Sequence, residues 1–257
     1  MINEGNLPKA IVVIGPTAVG KTEYAIEIAE RYNGEIVSAD SMQIYRGLDI
    51  GTAKPSVEEL ARVPHHMIGF VDPAREYSAA KYREDAAAII FDIRARGRLP
   101  VICGGTGLYI NALIYDMDFS GTGKDEAIRG KYEELADVYG SMYIYGILKE
   151  RDPEGAERIH PNNKKRIIRA LERLETGGES EGLHEFERSF VPGSLFDPVL
   201  ILLERSREEL LIRIDARVDR LIATGLEEEV RGLIDAGLGS GHISMLGIGY
   251  KELMRYL

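Results

Sequence analysis

The sequence has no tryptophan, one cysteine and six phenylalanines in 257 residues. A lone Cys103 excludes an internal disulfide and fits a reducing compartment. Apolar runs are short. None approaches the roughly 20 residues needed to cross a bilayer, so no membrane partner is expected. The first ten residues lack a cationic segment followed by a long apolar stretch, which predicts no secretory leader and a cytoplasmic location. Cations are also scarce: 32 Lys and Arg against 42 Asp and Glu give a formal net charge of −10. A deficit on that scale argues against a nucleic-acid ligand unless cations are gathered locally.

What remains is ordinary for a globular chain, with 44% hydrophobic and 29% charged residues. The length suits one large domain, or a core carrying an insertion. Residues 10–14, Ala-Ile-Val-Val-Ile, form a short buried-strand pattern. A helix pattern over 22–32 follows, with Ala25, Ile28, Ala29 and Tyr32 at helical spacing. Strand patterns recur at 35–40, 66–71, 99–103 and 199–203, and Ser78 is placed to cap a helix reaching Arg96. Helices are predicted over 210–224 and 226–236. Alternating strands and helices predict an α/β fold, a mostly parallel sheet flanked by helices. Between 119 and 197 strand signals fade and helical ones dominate. This predicts a core of residues 1–118 and 198–257 with an inserted helical domain over 119–197. The loop signal Val191-Pro192-Gly193-Ser194 lies near its end.

The strongest motif is Gly15-Pro16-Thr17-Ala18-Val19-Gly20-Lys21-Thr22, a complete G-x-x-x-x-G-K-[ST] phosphate loop between a strand and a helix. Its glycines let backbone N–H groups surround phosphate oxygens, and the helix N-terminus adds partial positive charge. Lys21 supplies a full charge, and the Thr22 hydroxyl suits Mg²⁺. Such a loop recognises a string of phosphates, not a nucleoside triphosphate in particular. A hydrolase would place an acid after another strand. Ile89-Ile90-Phe91-Asp92 imitates that pattern but sits within a helical stretch, so Asp92 reads as a solvated helix residue. The strand-end acid is Asp40, at the sheet edge where α/β proteins bind ligands. Asp40 suits a metal-supporting residue, a base or a helix cap.

Three further features have plain readings as well as functional ones. Gly104-Gly105-Thr106-Gly107 closes a strand and often marks only a tight turn. Arg213, Arg217 and Arg220 share a helix face of a kind that is usually solvated. Between Arg158 and Arg173 the chain has six cations, Arg158, Lys164, Lys165, Arg166, Arg169 and Arg173, against Glu172 alone. Lys165, Arg169 and Arg173 are spaced by four on a helix whose apolar positions are Ile167, Ile168, Leu171 and Leu174. They form either a rail for RNA phosphates or an exposed amphipathic face.

The phosphate loop, then Ser38-Ala39-Asp40-Ser41-Met42-Gln43-Ile44-Tyr45-Arg46-Gly47, Asp49-Ile50-Gly51-Thr52-Ala53-Lys54-Pro55, Gly104-Gly105-Thr106-Gly107-Leu108-Tyr109, Ile159-His160-Pro161-Asn162 and Gly247-Ile248-Gly249-Tyr250-Lys251-Glu252 occur in this order. Together they resemble the bacterial tRNA dimethylallyltransferases over nearly the whole chain. The resemblance implies transfer of a dimethylallyl group from its diphosphate to N6 of the adenine 3′ of the anticodon, position 37 of tRNA. It implies that residues 15 and 17–22 hold the diphosphate, with Thr22 on Mg²⁺. Asp40 matches the general base, Thr106 a contact to the bridging oxygen of the donor, and Arg217 a diphosphate clamp. Asp40, Ser41, Met42 and Gln43 match a segment at the target adenine. Lys165, Arg166, Ile167, Ile168 and Arg169 match a tRNA-contacting stretch, as does Arg129 in a looser register. The implied partners are the anticodon stem-loop of tRNA and dimethylallyl diphosphate, with the protein acting as a monomer.

Two features depart from the family pattern. Members continue past the Gly-Tyr-Lys-Glu block with a basic helical tail, whereas this sequence stops at Leu257. The stretch 176–187 is acidic where an RNA-facing surface is expected. Prenylation of a free adenine nucleotide and a P-loop kinase remain the competing expectations.

Overall fold

The computed structural model describes residues 7–117, 119, 125–176, 192–193 and 195–257. Of the sequence expectations, Val191, Ser194 and the acidic stretch beyond Thr176 lie outside these residues. The chain divides into two compact units, residues 1–114 with 193–257, and residues 115–192. Among the described residues no helix is long and apolar enough to cross a membrane.

The first unit is built on five parallel strands in the order β3-β2-β4-β1-β5: β1 (Lys9–Ile14), β2 (Gly34–Ser38), β3 (His65–His66), β4 (Leu99–Cys103) and β5 (Asp197–Leu202). Every residue of β2 is buried, so this strand is covered on both faces, as parallel sheets require. Val12, Val13, Val101 and Ile102 are at most 1% exposed. Each such side chain stabilises the fold by about 1.5–3 kcal/mol. Helix α1 (Lys21–Arg31) packs Ala25, Ile26, Ile28 and Ala29 against this core. Ile26 completes the buried face rather than Tyr32, which caps the helix and is 55% exposed. After α2 (Val57–Arg62), helix α3 (Ala79–Ala95) starts where Ser78 Oγ accepts the Lys81 amide, and it carries Asp92 on its exposed side, paired with Arg96.

The strand expected over 66–71 ends after two residues. Met67 (φ 63°) and Gly69 (φ 61°) adopt left-handed conformations that break extended pairing. The chain instead hydrogen-bonds to 43–44, through Gly69 N to Gln43 O and Val71 N to Ile44 O, both at 2.9 Å. Helix α4 (Gly107–Ile114) follows β4 and leads out of the unit. The chain returns at Gly193, whose amide donates to Ile114 O at 2.7 Å. A Cβ there would lie 2.8 Å from the same oxygen, so glycine permits this close approach. After β5 come α9 (Arg207–Ala223), α10 (Leu226–Asp235) and α11 (Tyr250–Tyr256). The last two close a second core of Ile44, Tyr45, Leu48, Val230, Met245 and Tyr250.

The second unit consists, in its described part, of helices α5 (Glu126–Tyr139), α6 (Ser141–Arg151), α7 (Pro153–Glu157) and α8 (Lys164–Glu175). They pack around Tyr132, Ile144, Leu148, Ile159, Ile167, Ile168 and Leu171.

Candidate active site

Sequential links leave β1 and β4 in opposite directions across the sheet, toward β2 and β5 respectively. In open α/β sheets ligands bind at the carboxyl ends of such strands. The phosphate loop follows β1 there, and Gly104-Gly105-Thr106 follows β4. Asp40 follows β2, on the far side of β4. Main-chain bonds knit these ends together: Ala39 N to Cys103 O at 2.8 Å and Thr106 N to Ala39 O at 3.1 Å. A Cβ on Gly104 would sit 2.2 Å from Ala39 O, so only glycine allows β4 to turn so close to β2.

In the loop, Gly15 (φ 151°), Ala18 (φ 64°) and Gly20 (φ 105°) supply the alternating handedness that turns successive amides inward. The left-handed conformation costs about 1–2 kcal/mol at Ala18, which has a Cβ. Val19 is buried, anchoring the loop from below, while Thr17 is exposed. Lys21 Nζ donates to Gly15 O at 2.9 Å and Pro16 O at 2.8 Å. Burial pushes the Lys21 ammonium below its ordinary value; the Asp40 carboxylate opposes this shift and the Arg217 charge adds to it. Thr22, the second residue of α1, is half-buried beside it.

Asp40 uses one carboxylate oxygen structurally. Oδ1 accepts Met42 N at 2.8 Å and Gln43 N at 3.3 Å, the cap-like turn that its residue type allows. Oδ2 accepts no hydrogen bond among the described residues. Asp40 also opposes the burial-driven lowering of the Arg217 guanidinium, which places Lys21, Arg217 and Asp40 in one electrostatic neighbourhood. Thr106 Oγ1 accepts Ser41 N at 2.9 Å and donates to Ser41 Oγ at 3.2 Å. Met42 packs on the Tyr250 core. Gln43 is fully engaged, accepting from Ser38 Oγ and donating to Thr52 O and Ala53 O. These two residues therefore shape the segment, and Ser41 and Asp40 present its polar groups.

Sequence reasoning missed the part played by four residues. Tyr82 and Tyr109 stack with centroids 3.9 Å apart and planes 8° from parallel, and both lie in the field of Asp40. Tyr82 lies within the helix that Ser78 caps. Arg205, just beyond β5, donates from Nε to Val19 O at 3.0 Å. Arg213, one turn before Arg217 on α9, donates from Nε to Ala18 O at 2.6 Å. The strand-end position of Arg205 was the available signal for it.

The helical unit corrects part of the expected RNA-contacting set. Ile167 and Ile168 are 0% and 4% exposed, so their side chains belong to the helical core and not to a surface. Arg129 is committed internally: its Nε donates to both carboxylate oxygens of Glu172, at 2.9 and 2.8 Å. A carboxylate 4% exposed needs that partner, which is why Arg129 turns inward. Lys165, Arg166 and Arg169 are exposed and form no ion pair among the described residues. Partial burial and the like charges of Arg129 and Arg173 lower the Arg169 guanidinium, a local excess of cations suited to an anion.

The chain is similar to known proteins over most of its length. The family profile described as IPP transferase matches residues 43–257, and that described as isopentenyl transferase matches residues 8–68. A tRNA dimethylallyltransferase of Alkaliphilus metalliredigens is 47% identical over 249 residues, spanning 97% of this chain and 79% of that one. The crystal structure of a full-length tRNA isopentenylpyrophosphate transferase from Bacillus halodurans is 40% identical, with a TM-score of 0.68 over 98% of this chain and 77% of that one. A eukaryotic dimethylallyltransferase caught crystallographically acting on tRNA is 29% identical, with a TM-score of 0.80 over 97% of this chain and 63% of the other.

Proposed function

The chain belongs to the tRNA dimethylallyltransferase family, and from that premise we propose that it transfers the dimethylallyl group of dimethylallyl diphosphate to N6 of adenine 37, beside the anticodon of tRNA, releasing diphosphate. The observation that carries this reading is the placement of Asp40 and Lys21 at the carboxyl edge of the sheet, both within electrostatic reach of Arg217, with Asp40 Oδ1 held by the Met42 and Gln43 amides and Oδ2 accepting no hydrogen bond among the described residues.

An adenine amine is a weak nucleophile because its lone pair is delocalised into the ring. The allylic carbon becomes a good electrophile as its bond to oxygen breaks and the electron pair leaves with the diphosphate. The inward amides of residues 15–22, Lys21 and Arg217 stabilise the charge that collects there. As N6 bonds to the allylic carbon, its proton passes to Asp40 Oδ2. Thr106 lies between this carboxylate and the loop, and turning its hydroxyl from Ser41 Oγ lets it donate to the bridging oxygen of the donor. The target base must leave its stack to enter the site.

The site also fits Mg²⁺. Among the described residues no group of three His, Cys, Asp or Glu is gathered to hold a metal. The Thr22 hydroxyl, at the start of α1, is an oxygen donor at the loop. That suits a hard ion which keeps its waters and binds mainly through substrate phosphates. When bound, the ion adds charge stabilisation on the leaving group. In this reading the helical unit, with Lys165, Arg166 and Arg169, follows the phosphates of the anticodon stem-loop, and the protein works as a cytoplasmic monomer.

The test is incubation with dimethylallyl diphosphate, Mg²⁺ and unmodified tRNA, followed by mass spectrometry of the nucleosides. Prenylated adenosine is expected. Its absence, together with ATP-dependent phosphorylation of a small acceptor, sinks the proposal.

A further inference from the structure

An anion-binding loop that turns its amides inward must turn carbonyls outward, where they are free to be gripped by donors from outside the loop. Here two of those carbonyls are taken by guanidinium groups from a distant part of the sequence. Arg213 Nε donates to Ala18 O at 2.6 Å, and Arg205 Nε donates to Val19 O at 3.0 Å. The Arg213 group also reaches Gly20, where a Cβ would lie 4.0 Å from Nη2. The segment after β5 abuts the opposite end of the loop, since a Cβ on Gly15 would meet Leu203 O at 2.6 Å. The loop is thus held from outside by one continuous stretch, from Leu203 to Arg213.

The grip falls on the residue that needs it. Ala18 is the loop residue with a side chain in the left-handed region, at φ 64°. Such a conformation persists only where its surroundings enforce it. A charge-assisted hydrogen bond to its own carbonyl is the direct means of enforcement. We propose that Arg213, seconded by Arg205, is a positioning residue that holds the phosphate loop in its anion-binding conformation through the Ala18 and Val19 carbonyls. This role differs from that of Arg217, four residues on, which forms no hydrogen bond to the loop among the described residues and whose charge is favoured by Asp40. The proposal rests on residues 15–22 being the diphosphate cradle.

The test is calorimetric binding of inorganic pyrophosphate with Mg²⁺, alongside steady-state transfer to tRNA. Arg213→Ala is expected to weaken pyrophosphate binding about tenfold and raise the KM for the prenyl donor in parallel. The KM for tRNA should not move. Glycine adopts the left-handed region freely, so in an Ala18→Gly background the same Arg213→Ala change should cost much less. Arg205→Ala should repeat the donor-side loss in weaker form. Unchanged pyrophosphate affinity in Arg213→Ala overturns the proposal. So does an equal loss in both backgrounds, because Arg213 would then act on the anion itself. Failure of the unaltered protein to bind pyrophosphate overturns the cradle reading and this one together.

Discussion

The hydroxyl of Thr106 accepts the amide proton of Ser41 at 2.9 Å, joining the turn after β4 to the turn after β2. Residues 65 positions apart are thereby joined next to Asp40. Thr106→Ala leaves the Ser41 amide without its acceptor, at a cost of about 1 kcal/mol in stability. In the proposed reaction it also removes the hydroxyl that would turn to the departing oxygen, for which a loss of about 100-fold in kcat is expected. Thr106→Ser keeps the hydroxyl and should recover most of that loss. Single-turnover rates at saturating donor check both variants, and equal rates for serine and alanine would show that the hydroxyl takes no part in transfer.

Asp40→Asn separates the two uses of the carboxylate. The amide oxygen can still accept the Met42 and Gln43 amides, so the turn is expected to survive. The amide cannot take a proton from N6, and kcat should fall by roughly 10²–10⁴. Pyrophosphate affinity measured calorimetrically should stay within about twofold of the parent. A matching loss of pyrophosphate affinity would assign Asp40 to the metal or to the loop instead.

The parts of this fold that are legible in sequence are those with a local cause. The phosphate loop has a fixed spacing, and the Ser78 cap stands next to the helix it starts. The apolar face of α1 follows the helical period except at its end, where Tyr32 falls on the cap and turns to solvent. The short β3 was illegible because partner choice ended it: residues 69–71 satisfy their amides on Gln43 and Ile44 rather than in the sheet. At the site, Asp40 and Lys21 stand at readable strand and helix ends. Arg205 and Arg213 meet the loop across more than 180 residues, and beyond the strand-end position of Arg205 no local pattern encodes that meeting. Residues 165–169, taken whole from a resemblance, conflict with the helical period at Ile167 and Ile168. The period prevails because the four-helix core needs those side chains.

Arg129 and Lys165 should respond in opposite ways to truncation. Arg129→Ala strands a Glu172 carboxylate that is 4% exposed, and a loss of about 3–5 kcal/mol is expected in the helical unit. Replacing both partners with apolar residues should restore much of it. Lys165→Ala touches no ion pair among the described residues and should leave the melting temperature unchanged. Its effect should appear in tRNA binding, with the slope of log affinity against log salt shallower by about one. Chemical denaturation and filter binding across salt concentrations distinguish the two. A Lys165→Ala protein with an unchanged salt slope would remove this residue from the RNA surface.

Glu175 gives the helical unit a defined acid limit. Its carboxylate accepts from Tyr132 OH at 2.5 Å, Lys131 Nζ at 3.0 Å and Arg151 Nη1 at 3.2 Å. The tyrosine hydrogen bond, followed by that of Lys131, lowers the carboxyl from 4.5 to about 2. The unfolded chain therefore takes up this proton at a higher pH than the folded one. The stabilisation is fully present above pH 4.5 and is lost as pH falls through about 2. Glu175→Gln should accordingly be less stable than the parent at pH 7, and the gap should close progressively below pH 4.5. Urea midpoints followed from pH 7 to pH 2 measure that gap directly. A difference between the two proteins that stays constant over this range would mean that the hydrogen bonds hold the neutral side chain as firmly as the charged one.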